Sequence, residues 1–233
     1  MTTGSRKALV IGNSDGIGLA VTRKLLARGY HVTGLARSAS PLSQPGLRHH
    51  RLDVAAEDFG IRLDTVLDEM DGIDLCIHCA GIGTTFDPDA LETETATLRV
   101  NLMGAAVATE RVLARMIAQG GGHFIGLSSI MDRGASKAAP AYAASKTGIS
   151  AYWEGLGQAL EGTGVQVSNL RFGFVDTKMA KAPVRPLMIT PNQAAGLIDK
   201  VIDRPRLRLT RPRRIALLLW LASLPSRLRY LAS

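Results

Sequence analysis

The sequence predicts an α/β protein: a parallel sheet covered by helices on both faces, three layers in all. Three observations predict it. Strand-like runs alternate with stretches of helical periodicity along the whole chain, the pattern left by parallel strands joined through crossover helices. The strand-like runs are continuous in their apolarity rather than alternating, as when both faces of a sheet are buried. With 233 residues, 46% hydrophobic and 21% charged, the chain is long enough for one full core and short for two. Residues 1–210 read as one domain, and residues 211–233 as a tail.

The elements follow in order. Lys7 to Ile11 is a short apolar run closed by Gly12, and from Ile17 the residues Leu19, Ala20, Leu25 and Leu26 recur at helical spacing until Gly29 stops them. This reads as strand, glycine turn, helix. Tyr30 to Ala36 and Leu47 to Val54 read as the second and third strands, Phe59 to Met70 as a helix, and Ile73 to Ala80 as the fourth strand. A long helical pattern runs from Thr95 to Ala118, interrupted by nothing worse than Gly104. Phe124 to Ser128 is the next strand, Ala141 to Leu160 a helix and Val165 to Leu170 a sixth strand. Pro183, Pro186 and Pro191 then mark irregular chain, with a flap near 178–190, before a helix at 191–203 and a last strand at 206–210.

Composition narrows the setting. The apolar run Ala8 to Ile11 is too short for a signal-peptide core, so cytoplasmic residence is the expectation. The formal net charge is +8. Eight Arg against one Asp in residues 201–233 account for +7 of it, leaving twenty basic and nineteen acidic residues in the body. That body carries no aromatic-basic stacking pattern, and no nucleic-acid partner is expected. The two cysteines, Cys76 and Cys79, lie in a strand-like run rather than at a helix start. They read as buried packing, with neither redox work nor a metal site.

Three stretches carry chemistry. Gly12, Asn13, Ser14, Asp15, Gly16, Ile17 and Gly18 form the first strand-to-helix turn, where free N–H groups and the positive end of a helix face an anion such as a diphosphate. A tight connection is the plainer reading of such a turn taken alone. Roughly 20 residues on, a dinucleotide fold places the group that reads the adenosine ribose. Here Arg37 and Ser38 stand there, with no acid between Gly29 and His50. A guanidinium fork suits a 2′-phosphate, so NADP(H) is expected over NAD(H). The plainer alternative is a loop arginine in solvent.

The third stretch is Tyr142-Ala143-Ala144-Ser145-Lys146, with Ser129 before it. Residues four apart share a helix face, and an ammonium beside a phenol favours the phenolate and lowers its pKa. In an arbitrary helix Tyr-x-x-x-Lys is more often a solvated polar pair.

Taken together the motifs resemble the short-chain dehydrogenase/reductase family. The glycine turn, Asp53-Val54 at the end of the third strand, Cys79-Ala80-Gly81 after the fourth, Asn101, Ser129, Tyr142 with Lys146, and Gly173 to Thr177 fall in that family's order and spacing over about residues 6–180. The resemblance implies a Rossmann-type, doubly wound sheet of six or seven strands, a nicotinamide cofactor and a catalytic tetrad of Asn101, Ser129, Tyr142 and Lys146. It implies that Tyr142 gives the proton, that Ser129 holds the carbonyl oxygen, that Lys146 also grips the ribose, and that Asn101 holds a water. It further implies that the Asp53 carboxylate accepts from the adenine amino group, and that Val175 and Thr177 hold the carboxamide end. Three departures stand out: Ile11 replaces the usual Thr, His78-Cys79 the usual Asn-Asn, and Phe172 the usual Pro before Gly173. An Ile11–Cys79 apolar contact is expected to replace a polar one, and His78 reads as a packed strand residue.

The expected function is hydride transfer between nicotinamide and a small-molecule carbonyl or alcohol, apolar judging by Met179, Val184, Leu187, Met188 and Ile189 in the flap. The rival from another class is a cofactor-binding regulator or scaffold. A sugar-nucleotide epimerase or dehydratase fits less well, because those relatives carry a larger C-terminal substrate domain. The tail is outside the resemblance. Arg211, Arg213 and Arg214 precede Ile215 to Ala222, and Arg227 and Arg229 follow. The apolar run is too short to span a bilayer. Two occupants stay open for 211–229: an anionic membrane surface, which the basic flanks favour, or a second subunit in a homodimer.

Overall fold

The computed structural model describes residues 5–132, 134–179 and 185–212. Its centre is a seven-stranded sheet in the order β3-β2-β1-β4-β5-β6-β7, parallel at every pairing. The strands are β1 Lys7–Ile11, β2 His31–Ala36, β3 Leu47–Arg51, β4 Leu75–His78, β5 Gly122–Ser129, β6 Val165–Phe172 and β7 Arg208–Arg211. The helices are α1 Gly16–Ala27, α2 Phe59–Met70, α3 Glu92–Leu98, α4 Ala105–Ala118, α5 Pro140–Ala159 and α6 Pro191–Asp203.

The unbroken apolarity of β1 has its explanation in the two covering layers. Leu9 and Ile11 join the cluster roofed by Phe59, Leu63 and Leu67 of α2, Val112 and Met116 of α4, and Ile149 and Trp153 of α5. Ala8 and Val10, pointing the other way, join Val21 and Leu25 of α1 with Ala194, Ile198 and Val201 of α6. Period-2 geometry sends neighbours to opposite faces, and here both faces are dry. Arg28, the C-cap residue of α1, ties this second layer together by pairing with Asp199 and Asp203 of α6.

The chain runs outward from β1 through β2 to β3, then crosses back to lay β4 on the other side of β1. Such a reversal of strand order opens a crevice at the carboxyl ends of β1 and β4, where ligands bind in open α/β sheets. The glycine turn leaves β1 there, and Cys79 to Gly81 leave β4.

The structure corrects several boundaries. The helix expected over Thr95 to Ala118 is divided into α3 and α4 by a π-helical stretch, Arg99–Gly104. Hydrophobic spacing does not register one wide turn. The expected strands Leu47 to Val54 and Ile73 to Ala80 end early, at Arg51 and His78, because buried loop residues at the site are as apolar as strand. Conversely β5 and β6 run on to Ser129 and Phe172, paired to the last residue. Residues 180–184 in the expected flap and 213–233 of the tail lie outside the described residues. Among the described residues no helix is long and apolar enough to cross a membrane.

Candidate active site

The glycine turn is shaped by close approach. Gly12 has φ +91°, and a Cβ on it would stand 2.7 Å from the Ala80 nitrogen, so the turns after β1 and β4 touch backbone to backbone. A Cβ on Gly18 would stand 2.8 Å from the Gly12 carbonyl carbon, which keeps the first turn of α1 folded against the strand end. Asp15 caps α1, its carboxylate accepting from Gly16 N at 2.8 Å. Its other oxygen meets Lys178 Nζ, also at 2.8 Å, from the loop after β6. The ion pair holds the Asp15 carboxyl below its ordinary range, chiefly through the Lys178 hydrogen bond.

Asn13 is fully buried, yet neither its Nδ2 nor its Oδ1 has a partner. Its amide fills the space that a side chain at Gly34 would take. A buried amide left unsatisfied is costly, and sites that keep one are commonly completed by a ligand. The glycine backbone, the helix terminus and this orphaned amide together fit a dinucleotide.

At the neighbouring strand end Arg37 and Ser38 are exposed. Arg51 pairs opposite Ala36 in the sheet and donates Nε to the Arg37 carbonyl at 3.2 Å, while Arg62 Nη2 donates to the Arg51 carbonyl at 3.0 Å. Arg51 escapes the sequence reading. Its signal is present all the same, since strand register puts the end of β3 beside the end of β2. Asp53 follows, its Oδ1 accepting from Ala55 N at 3.0 Å to set the turn; Val54 packs against the core.

The four residues expected to do chemistry converge from three segments: Asn101 from the π-helical stretch, Ser129 from β5, and Tyr142 with Lys146 from α5. The π-helical stretch aims Asn101 at the loop after β4, where its amide exchanges two 2.8 Å hydrogen bonds with the Ile82 backbone. Its Nδ2 also reaches Ser145 Oγ at 3.3 Å. A Cβ on Gly81 would stand 3.2 Å from Asn101 Oδ1, 3.6 Å from Lys146 Nζ and 3.8 Å from Met179 Cε, so these three groups surround one point. Lys146, 5% exposed, donates to the Leu127 carbonyl at 3.2 Å and lies 5.8 Å from the Tyr142 ring centroid. Ser129, the last residue of β5, lies near enough to the Tyr142 phenol to act on its pKa.

The electrostatics correct one expectation. Burial raises the Tyr142 pKa above its ordinary value; the nearby Ser129 hydroxyl opposes this and the charge of Asp132 adds to it. The i+4 spacing alone predicts a lowering by Lys146. With its Nζ turned to the Leu127 carbonyl, desolvation outweighs it, and burial brings Lys146 itself down to about 8. Burial likewise sets Cys79 at about 12 and His78 at about 3, so the thiol stays protonated and the imidazole neutral. His78 packs 6.0 Å from the Trp153 ring with neither ring nitrogen partnered. Cys76 is fully buried and Cys79 half-buried, and both are free.

The loop after β6 closes the site. Gly173 N donates to the Arg211 carbonyl at 2.8 Å, Val175 bridges Ile189 in parallel, and a Cβ on Gly16 would stand 3.0 Å from Thr177 Cγ2. The β6–α6 loop thus lies across the glycine turn, which brings Lys178 to Asp15. Nothing in the sequence between residues 15 and 178 signals that pairing.

Residues 6–186 match the family model for short chain dehydrogenases, and the chain belongs to the short-chain dehydrogenase/reductase family. It is an oxidoreductase of that family, whose members work with a nicotinamide cofactor. An uncharacterized oxidoreductase from Myxococcus xanthus (strain DK1622) is 30% identical over 240 residues, covering 96% of this chain and 91% of its own. A short-chain dehydrogenase from Streptomyces avermitilis superposes with a TM-score of 0.81 at 21% identity, over 98% of this chain and 96% of its own. A single-substitution variant of actinorhodin polyketide ketoreductase, solved with NADPH, superposes at 0.77 with 23% identity, over 90% and 97%.

Proposed function

We propose that the protein is an NADP(H)-preferring reductase or alcohol dehydrogenase for a small carbonyl or alcohol substrate of apolar character. The observation that carries the reading is the convergence of Asn101, Ser129, Tyr142 and Lys146 where the β4 and β5 strands end. When bound, the nicotinamide supplies or takes the hydride. The protein's own groups do the rest. Ser129 Oγ holds the substrate oxygen, and Tyr142, kept protonated by burial, donates to that oxygen as negative charge develops on it. Lys146 carries its charge below about pH 8, faces the ribose side and steadies the phenolate that remains. Asn101 holds the loop after β4 in place. Gly12 to Gly18, Asp53, Val54, Cys79 to Gly81, Gly173, Val175 and Thr177 form the walls of the dinucleotide groove.

The NADP(H) preference rests on Arg37 and Ser38, with Arg51 beside them and no carboxylate at the end of β2. Asp15 stands in the turn where many NADP-preferring relatives have a basic residue, and its pairing with Lys178 offsets that charge. The polyketide ketoreductase solved with NADPH supports the same direction by analogy of fold. For the tail, the basic flanks around Ile215 to Ala222 support an anionic membrane surface as its partner. The test of the whole reading is NADPH consumption over a panel of ketones, aldehydes, quinones and acyl substrates, with Tyr142→Phe as control. Turnover that disappears in Tyr142→Phe while NADPH still binds supports it. Tight NADPH binding with no turnover on any substrate would favour a scaffold of the same fold.

A further inference from the structure

Arg171 and Asp132 form an ion pair with side chains only 4% and 3% exposed. Two charges at that depth are expensive to desolvate, and apolar residues of similar volume often hold a core as well. Stability alone therefore gives no reason for the pair; its surroundings do. Asp132 closes the turn that leaves β5 at Ser129. Asp132 N donates to the Ser129 carbonyl at 3.2 Å, Met131 N to Ser129 Oγ at 3.1 Å, and Ile130 N to the Phe172 carbonyl at 3.1 Å. The Asp132 carboxylate takes Arg171 on one oxygen and Ser150 Oγ on the other, at 2.7 Å. Ser150 lies four residues beyond Lys146 and eight beyond Tyr142, on the same face of α5. Arg171 precedes Phe172 on β6 and reaches Thr210 Oγ1 of β7 at 3.4 Å. The carboxylate thus joins the strand layer to α5, with the Ser129 turn between them.

We propose that Asp132 and Arg171 are positioning residues: their buried pair fixes the Ser129 turn against α5 so that Ser129 Oγ and the Tyr142 hydroxyl meet one substrate oxygen. The charge of the same carboxylate adds, as the lesser effect, to the burial that raises the Tyr142 pKa. The groups around that phenol are Ser129 and Asp132 from the turn, Lys146 from α5 itself, Glu94 of α3 accepting from Ala141 N at 2.9 Å, and Cys79 and His78 beyond Lys146 at the end of β4. Asp132 supplies the negative charge that acts on Tyr142.

The proposal rests on Tyr142 as proton donor, and one of its readouts needs no turnover. Phenolate absorbance is titrated in wild type and in Asp132→Leu/Arg171→Met, each against its Tyr142→Phe counterpart, so that the difference isolates Tyr142. Thermal melting, NADPH affinity by fluorescence, and kcat and KM on the best ketone of the panel accompany it. The expected result is an unchanged melting temperature and NADPH affinity, a Tyr142 titration moved to lower pH, and a kcat reduced by about tenfold to a hundredfold. Arg171→Lys keeps the charge and loses the fork; it should lower kcat and leave the titration in place, which preserves the test should the double variant fail to fold. An unmoved titration and full kcat in a folded double variant would overturn the proposal. So would a loss of NADPH affinity that matches the loss of kcat, since that marks general disruption. Should Tyr142→Phe retain turnover, the proton-donor reading fails separately, and the titration still reports whether the pair acts on that phenol.

Discussion

Gly18→Ala is the sharpest perturbation of the cofactor groove. The added Cβ would stand 2.8 Å from the Gly12 carbonyl carbon and closer still to its oxygen, whereas ordinary contact needs about 3.5 Å or more. Neither atom belongs to a flexible side chain, so the turn after β1 has to open by about 1 Å. That turn also rests on Ala80 through Gly12, and it cannot move without disturbing the loop after β4. Overpacking of this kind costs about 1–3 kcal/mol of stability. The larger effect falls on binding: each hydrogen bond to a charged phosphate is worth about 1.5–3 kcal/mol, so losing one weakens NADPH about 10- to 150-fold. Fluorescence titration of NADPH, with a thermal melt alongside, measures both. Gly155→Ala on α5 is the control, because a Cβ there meets nothing within 4 Å, and it should bind normally. If Gly18→Ala binds NADPH as the wild type does, the turn is not the diphosphate site.

Other outcomes follow from the same geometry. NADPH should bind better than NADH by about 1.5–3 kcal/mol, and Arg37→Ala should remove most of that difference; equal dissociation constants in the wild type would refute it. Lys178→Gln should weaken NADPH more than NADH by leaving Asp15 uncompensated, and adding Asp15→Asn should restore the ratio; a ratio unchanged by Lys178→Gln would show that Asp15 does not face the 2′ side. His78 stays neutral in the fold down to about pH 3 against an ordinary 6.5. The unfolded chain therefore binds the extra proton between those values, and stability falls as pH falls through that window. His78→Asn should flatten that fall in a melting-temperature series, and a parallel curve would discount the assignment. Full-length chain should co-sediment with anionic liposomes in a salt-sensitive way, and a version ending at Thr210 should not. Absence of vesicle binding, with a truncation that turns dimer to monomer, would assign the tail to a subunit interface.

The sheet and its two covering layers were legible because burial on both faces demands continuous apolar strands, and β1 or β5 meets that demand in sequence alone. The glycine turn, Arg37 and the Tyr142–Lys146 spacing stand out in the sequence for a different reason: each is local in the chain, and although each alone has a plainer reading, their joint order is specific. Three features were settled only by tertiary structure. The π-helical turn at Asn101 leaves the apolar spacing of its helix intact, so it shows only in the bonds Asn101 makes with Ile82. The pairs Asp15–Lys178 and Asp132–Arg171 join residues far apart in the chain, and charge complementarity at such separation has no local signature. The pKa of Tyr142 moved opposite to the expectation from its neighbour at i+4, because spacing conveys which charge is near but not how much water the fold removes, and in this pocket desolvation is the larger effect.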